Sequence, residues 1–167
     1  MSIVTVKGVS GFRLPRYSEI PDVGLYLEQT TKYINSFLEP IGFEITSAMI
    51  KNYVKKGLLK NPEKKQYYAD HIAHLIAVSV LKNVIPLENI AMLFQYQKKV
   101  YTDEIAYDYL CKKLESMLYY QFGIKDSVDK IGTTNSIEKN MLKSAIIAVS
   151  HIIYLKSCFS QIDDEEK

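Results

Sequence analysis

The residues best placed to do chemistry in this sequence are cations rather than nucleophiles or metal ligands. Between Ser47 and Gln66 stand six lysines (Lys51, Lys55, Lys56, Lys60, Lys64 and Lys65) against a single acid, Glu63. That window carries +5 in a chain whose formal net charge is +2, so the remaining residues together carry −3. A concentrated positive patch on a near-neutral protein is complementary to a polyanion such as a phosphodiester backbone. Lys51 and Lys55 are four residues apart, so on a helix they share one face, with Ser47 and Asn52 beside them. Asparagine can pair bidentately with adenine and lysine can reach guanine, so this face carries the groups that base-edge reading requires. A merely solvated lysine face is the other reading that the spacing allows.

Other chemistries find no foothold. The seven glycines form neither GxGxxG nor GxxxxGK, and no nucleophile–base pair or catalytic carboxylate pair stands out, so no enzymatic activity and no cofactor is expected. His71 and His74 lie three residues apart with His151 far along the chain, and no third ligand sits at metal-binding spacing. Cys111 and Cys158 fall outside any CxxC pattern, which points to a reducing compartment and away from a disulfide or structural zinc. The first residues lack the basic and apolar regions of a secretory signal, and the most apolar run, Ala145 to Leu155, is shorter than the roughly 20 residues that span a bilayer. A cytoplasmic protein with no membrane association is the expectation.

The elements that must position the basic residues are helical. Residues 1–21, with Pro15 and Pro21, read as an irregular leader. Asp22 offers an N-cap to a first helix over Asp22 to Glu39, with Val23, Tyr26, Leu27, Thr30, Ile34 and Leu38 inward; Pro40 and Gly42 close it. Thr46 or Ser47 caps a second helix that stops at Gly57, suited to the left-handed position past a helix end. Leu58 to Tyr68, with Asn61-Pro62 and no helical period, reads as a tight basic turn or small hairpin. Helices follow from near Asp70, from Pro86, and from Thr102 to about Phe122. After a loop over 123–134, Asn135 and Glu138 have the spacing of a capping box for a last helix whose stripe runs through Met141, Leu142, Ala145, Ala148, Val149, Ile152, Leu155 and Phe159. The tail Asp163 to Glu166 should fray. The expected class is all-α.

The stretch Ile50-Lys51-Asn52-Tyr53-Val54-Lys55-Lys56-Gly57-Leu58-Leu59 resembles the MerR pattern, in which a helix bearing Ile-Arg-x-Tyr-x-Arg ends at Gly-Leu-Ile/Leu. Lys65-Gln66-Tyr67, then His71-Ile72-Ala73-His74-Leu75, and then Ile85-Pro86-Leu87 with Ile90 follow in that family's order, so the resemblance covers about Ile45 to Phe94. Leu14-Pro15-Arg16-Tyr17-Ser18-Glu19 with Pro21-Asp22 and Leu25-Tyr26 is similar to a segment of an uncharacterised family of small bacterial proteins described as MerR-like. The resemblance implies a winged helix-turn-helix in residues 1–100, with residues 101–167 as a helical dimerisation or effector region.

It also implies roles. Ser47, Lys51, Asn52, Lys55 and Lys56 would face the major groove of double-stranded DNA, with Tyr53 positioned on phosphate. Lys60, Lys64, Lys65 and Tyr67 would form a wing on the backbone. The last helix would pair two copies into a homodimer, or pack on the helix at 102–122 within one chain. The competing class is a helical protein-interaction module, an adaptor or antirepressor, that turns the same basic face to an acidic partner on a retained winged-helix scaffold. Operator and effector are not readable from the residues.

Overall fold

A computed structural model of the chain describes residues 9–132 and 135–167. Among these residues there are six α-helices and no strand: α1 (Leu27–Leu38), α2 (Ser47–Lys55), α3 (Ala69–Leu81), α4 (Leu87–Gln97), α5 (Asp103–Gln121) and α6 (Ile137–Glu165). The all-helical class expected from the periodicity is what these residues adopt. Eleven of the thirteen residues of α3 are buried, so it is the central helix, and the other elements pack around it. Its neighbours are α1, α4, α5 and α6.

Two threonines start their helices as their positions suggest. The Thr46 hydroxyl accepts from the Met49 amide at 3.2 Å, and that of Thr102 accepts from Ile105 at 3.2 Å, each satisfying an amide that the first turn leaves unpaired. The α6 cap differs from expectation. Ser136, not the Asn135–Glu138 pair, accepts from the Lys139 amide at 3.2 Å. α6 then continues to Glu165, through the acidic residues where fraying was expected.

The first helix also starts later than its apolar spacing predicts. Gly24 has φ +81°, and Leu25 pairs in antiparallel fashion with Tyr67 through two backbone bonds of 2.8 and 2.7 Å. The chain is therefore extended where a helix from Asp22 would lie, and Val23 and Tyr26 stay exposed. Asp22 does cap a helix, but a remote one: its carboxylate accepts from the Ala69 amide of α3 at 3.0 Å.

From Val9 onward the leader is pinned along α5. The Glu115 carboxylate accepts from the Leu14 amide (2.9 Å) and from both terminal nitrogens of Arg16 (2.7 and 2.6 Å). The Tyr107 hydroxyl donates to the Pro15 carbonyl at 2.7 Å, Tyr119 donates to that of Phe12, and the Tyr17 amide donates to Asp108 at 2.8 Å. One cluster of buried apolar side chains consequently runs from Val9 to Ile153, across both sides of residue 100. Residues 1–8 of the expected leader, and 133–134 of the expected loop, lie outside the described residues.

α6 has two apolar sides. Leu142, Ala145, Ile146, Val149 and Ile153 are buried, mainly against α5, while Met141, Leu155, Phe159 and Ile162 are exposed. The single stripe read from the sequence thus divides between an inward and an outward face. The Ala145–Leu155 run is part of a 29-residue helix, which by length and composition alone would suffice to cross a membrane (mean hydropathy 1.4 over its most apolar 18 residues).

Candidate nucleic-acid interface

α2 is an amphipathic helix set by its ends. Asn35 of α1 holds the preceding link in both directions, its amide donating to the Ile45 carbonyl and its oxygen accepting from the Ile45 amide, each at 2.8 Å. At the other end Gly57 takes φ +76°, and the Leu58 amide returns to the Tyr53 carbonyl at 2.9 Å. That closure needs a residue free of the left-handed penalty, which glycine is. Ile50 and Tyr53 lie in the core, and Lys51, Asn52, Lys55 and Lys56 are exposed on the other side.

The turn that follows is built on two lysines. Lys64 and Lys65 have φ +50° and +67°, and Glu63 and Gln66 exchange backbone bonds of 3.0 and 2.9 Å. Two successive positive-φ residues make a tight turn of the kind that closes two-residue hairpins, a role more often taken by Asn-Gly. Both lysines are exposed at its tip.

Three sets of contacts anchor the turn, two to α3 and one to the chain before α1. The Tyr68 amide donates to His71 Nδ1 at 3.0 Å, which leaves Nε2 to donate to the Asn61 carbonyl, also at 3.0 Å. Lys60 forms an ion pair with Asp70. Burial pushes the Asp70 carboxyl up, but the ion pair and the His71 amide outweigh it and hold the group below its usual value. The same pair raises Lys60. Third, the Leu25–Tyr67 bridge ties the turn's end to the chain before α1.

The ten residues expected at the interface therefore divide. Lys51, Asn52, Lys55, Lys56, Lys64 and Lys65 are exposed. Among the described residues, none of these five lysines takes part in an ion pair or a cation–ring contact. Lys60 is engaged by Asp70. Ser47 is half-buried, donating to Glu28 at 3.1 Å and hydrogen-bonded to Thr31 at 3.2 Å. Tyr53 and Tyr67 are 3% and 4% exposed, so they are core residues rather than phosphate contacts. Glu28, whose carboxylate stands at the start of α2, was not singled out from the sequence because nothing local links it to a residue nineteen positions on.

The family model described as "Domain of unknown function (DUF1836)" matches residues 15–122. The chain belongs to this family. The matched span runs from the leader segment on α5 through the basic helix and turn to the end of α5 itself, so the family's shared unit contains both partners of the Arg16–Glu115 ion pair. No curated protein and no solved structure matches the chain.

The remaining reactive groups are quiet. Burial pushes the Cys111 thiol up to about 12, so it is not the thiolate that sensing or ligation needs. Among the described residues no group of three His, Cys, Asp or Glu side chains is arranged to hold a metal ion.

Proposed function

We propose that this chain is a DNA-binding transcriptional regulator of the MerR-like winged helix-turn-helix kind, acting in the cytoplasm as a homodimer. α2 lies in the major groove with Lys51, Asn52 and Lys55 toward the base edges. The turn at Lys64-Lys65 serves as a minimal wing on the phosphates. The observation that carries this reading is the set of five exposed lysines, without an acidic partner among the described residues, on one helix and the turn that follows it. Five like charges that no acid among the described residues pairs with are complementary to a polyanion such as a phosphodiester backbone.

The outward side of α6, with Met141, Leu155 and Phe159, supplies the dimer contact, and its inward side keeps the helix in the core rather than in a bilayer. Tyr53 and Tyr67 act as packing for the basic elements, and Ser47 as a link to α1. The decisive measurement is fluorescence polarisation with pooled genomic duplex fragments at two salt concentrations. Binding that weakens steeply with salt supports a DNA-binding protein. No binding at low salt, with an acidic protein co-purifying instead, transfers the basic face to the protein-interaction reading.

A further inference from the structure

α5 and α6 run side by side in the same direction. Lys139 Nζ stands 5.4 Å from the centre of the Tyr109 ring, and Gln121 Nε2 reaches the His151 ring at 3.3 Å, so each residue of α5 is level with the one thirty positions on. Near the first turns of this pair, where α4 ends, lies a second cavity-forming junction with Tyr101, Ile105, Ala106, Tyr109 and Leu142 in its wall. The cavity holds about 100 Å³. Ile105 is 56% exposed, so the space opens to the surface beside it.

One charged side chain, Lys139, belongs to the wall, and two observations place its ammonium there. It lies over the ring of Tyr109, and a Cβ on Gly132, also a wall residue, would meet Nζ at 3.0 Å. Among the described residues no carboxylate lines the cavity, and none pairs with Lys139. The Tyr109 ring steadies the cation but supplies no oxygen to accept its N–H bonds. The other polar wall groups are neutral: Gln97, which is buried, and Tyr101, whose hydroxyl is bonded to Ser136 Oγ at 2.7 Å.

Further positive charge stands one turn on, where Lys113 of α5 is level with Lys143 of α6. Lys113 is 7% exposed, and its pKa is pushed down first by burial and then by Lys143 and Lys139. The acid that opposes this, Asp129, is already paired with Lys125 at 3.3 Å. The site thus joins an apolar space to a cationic edge that no acid among the described residues neutralises. Ligand pockets commonly have this form, with apolar walls and one or two polar groups that fix orientation.

We propose that this cavity binds a small aliphatic monocarboxylate, with its chain among Tyr101, Ile105, Ala106 and Leu142 and its carboxylate on Lys139. An apolar cavity of roughly 150 Å³ holds benzene, so one of about 100 Å³ suits a chain of roughly four carbons. A charge-assisted bond to an ammonium is stronger than one between neutral groups, and that favours the acid's anion over the corresponding alcohol. The proposal does not rest on the DNA-binding reading.

The test labels the Ile, Leu and Ala methyls of the full chain and titrates it separately with pentanoate, 1-pentanol and pentylammonium. Pentanoate should move the Ile105, Ala106 and Leu142 methyl resonances along one saturating curve, with pentanol binding more weakly and pentylammonium most weakly. From acetate to pentanoate affinity should climb roughly fourfold per methylene and then level at hexanoate, since each buried methylene contributes until the space is full. Lys139→Met keeps an apolar stem and removes the charge, so it should weaken pentanoate roughly tenfold and leave pentanol unchanged. Ala106→Leu should block both by filling the space. Should either variant fail to fold, the chain-length series and the three head groups decide on the native protein alone. Methyl resonances unmoved by pentanoate, equal binding of pentylammonium, or affinity indifferent to chain length overturns the proposal. Pentanoate binding unchanged in Lys139→Met overturns it too.

Discussion

Replacing Lys51 and Lys55 together by alanine separates phosphate contact from a decorative lysine face. Both side chains are exposed, and among the described residues neither has an ionic partner, so folding should hardly notice. Alanine is the better helix former, and the lost interaction of Lys55 with the helix C-terminus is worth only about 0.3–1 kcal/mol. DNA affinity should respond strongly. With five lysines engaged, each neutralised phosphate contributing about 0.9, the log–log salt slope should be about −4.5 in the native chain and about −2.7 in the double variant. Between roughly 50 and 200 mM salt the native chain should lose about 500-fold in affinity and the variant about 40-fold. Polarisation titrations at four salt concentrations, with thermal melts as the folding control, measure both numbers. Lys130→Ala/Lys143→Ala, also exposed, should leave the slope where it was. A double variant at 51 and 55 that keeps the native slope would refute this placement of the interface.

Other expected outcomes follow from the packing. Gly24→Ala should destabilise by about 1–2 kcal/mol in urea unfolding, because φ is +81° and the added Cβ would meet Gln66 Oε1 at 2.9 Å. Glu115→Ala should cost about 3 kcal/mol, since it strips three hydrogen bonds from the leader and leaves the largely buried Arg16 uncompensated; faster proteolysis between residues 9 and 20 would accompany the lower melting temperature. His74 should make stability fall as pH drops below about 6.5, the ordinary histidine value, because the unfolded chain then takes up a proton that the buried ring refuses. Urea midpoints compared at neutral and mildly acidic pH should show that loss in the native chain and a smaller one in His74→Asn.

Much of the fold could be read from spacing, and what could not has a common cause. α2 to α5 follow local rules: apolar residues every three or four positions, threonine caps, and glycine at the close of α2. The start of α1 does not. Val23 and Tyr26 fit a helical stripe, but Leu25 is claimed by Tyr67, forty-two positions away, and the extended pairing wins over the local preference. The same holds at the candidate site. Exposure of Lys51, Asn52 and Lys55 follows from the amphipathic pattern, whereas the engagement of Lys60 by Asp70 and of Ser47 by Glu28 depends on how neighbouring elements meet. The burial of Tyr53 follows the same pattern, because it stands three residues after Ile50 on the inward face. Tyr67 is harder, since no helical period runs through a turn. In α6 the difficulty is surplus: apolar residues line two sides, and periodicity alone does not say which one the chain itself will cover.

The clasp between the leader and α5 sets an order of events during synthesis. Leu14 and Arg16 leave the ribosome well before their partner Glu115, which is made about a hundred residues later. Until then the carbonyls of Phe12 and Pro15 have only water to satisfy them, and the basic helix and turn emerge onto a core that is still missing one wall. Local helices form early, but the locking step waits for the chain's two distant stretches to meet, as contacts of high sequence separation generally do. Nascent chains arrested shortly after residue 100 should therefore be protease-sensitive throughout, and protection should arrive in one step as α5 clears the exit tunnel.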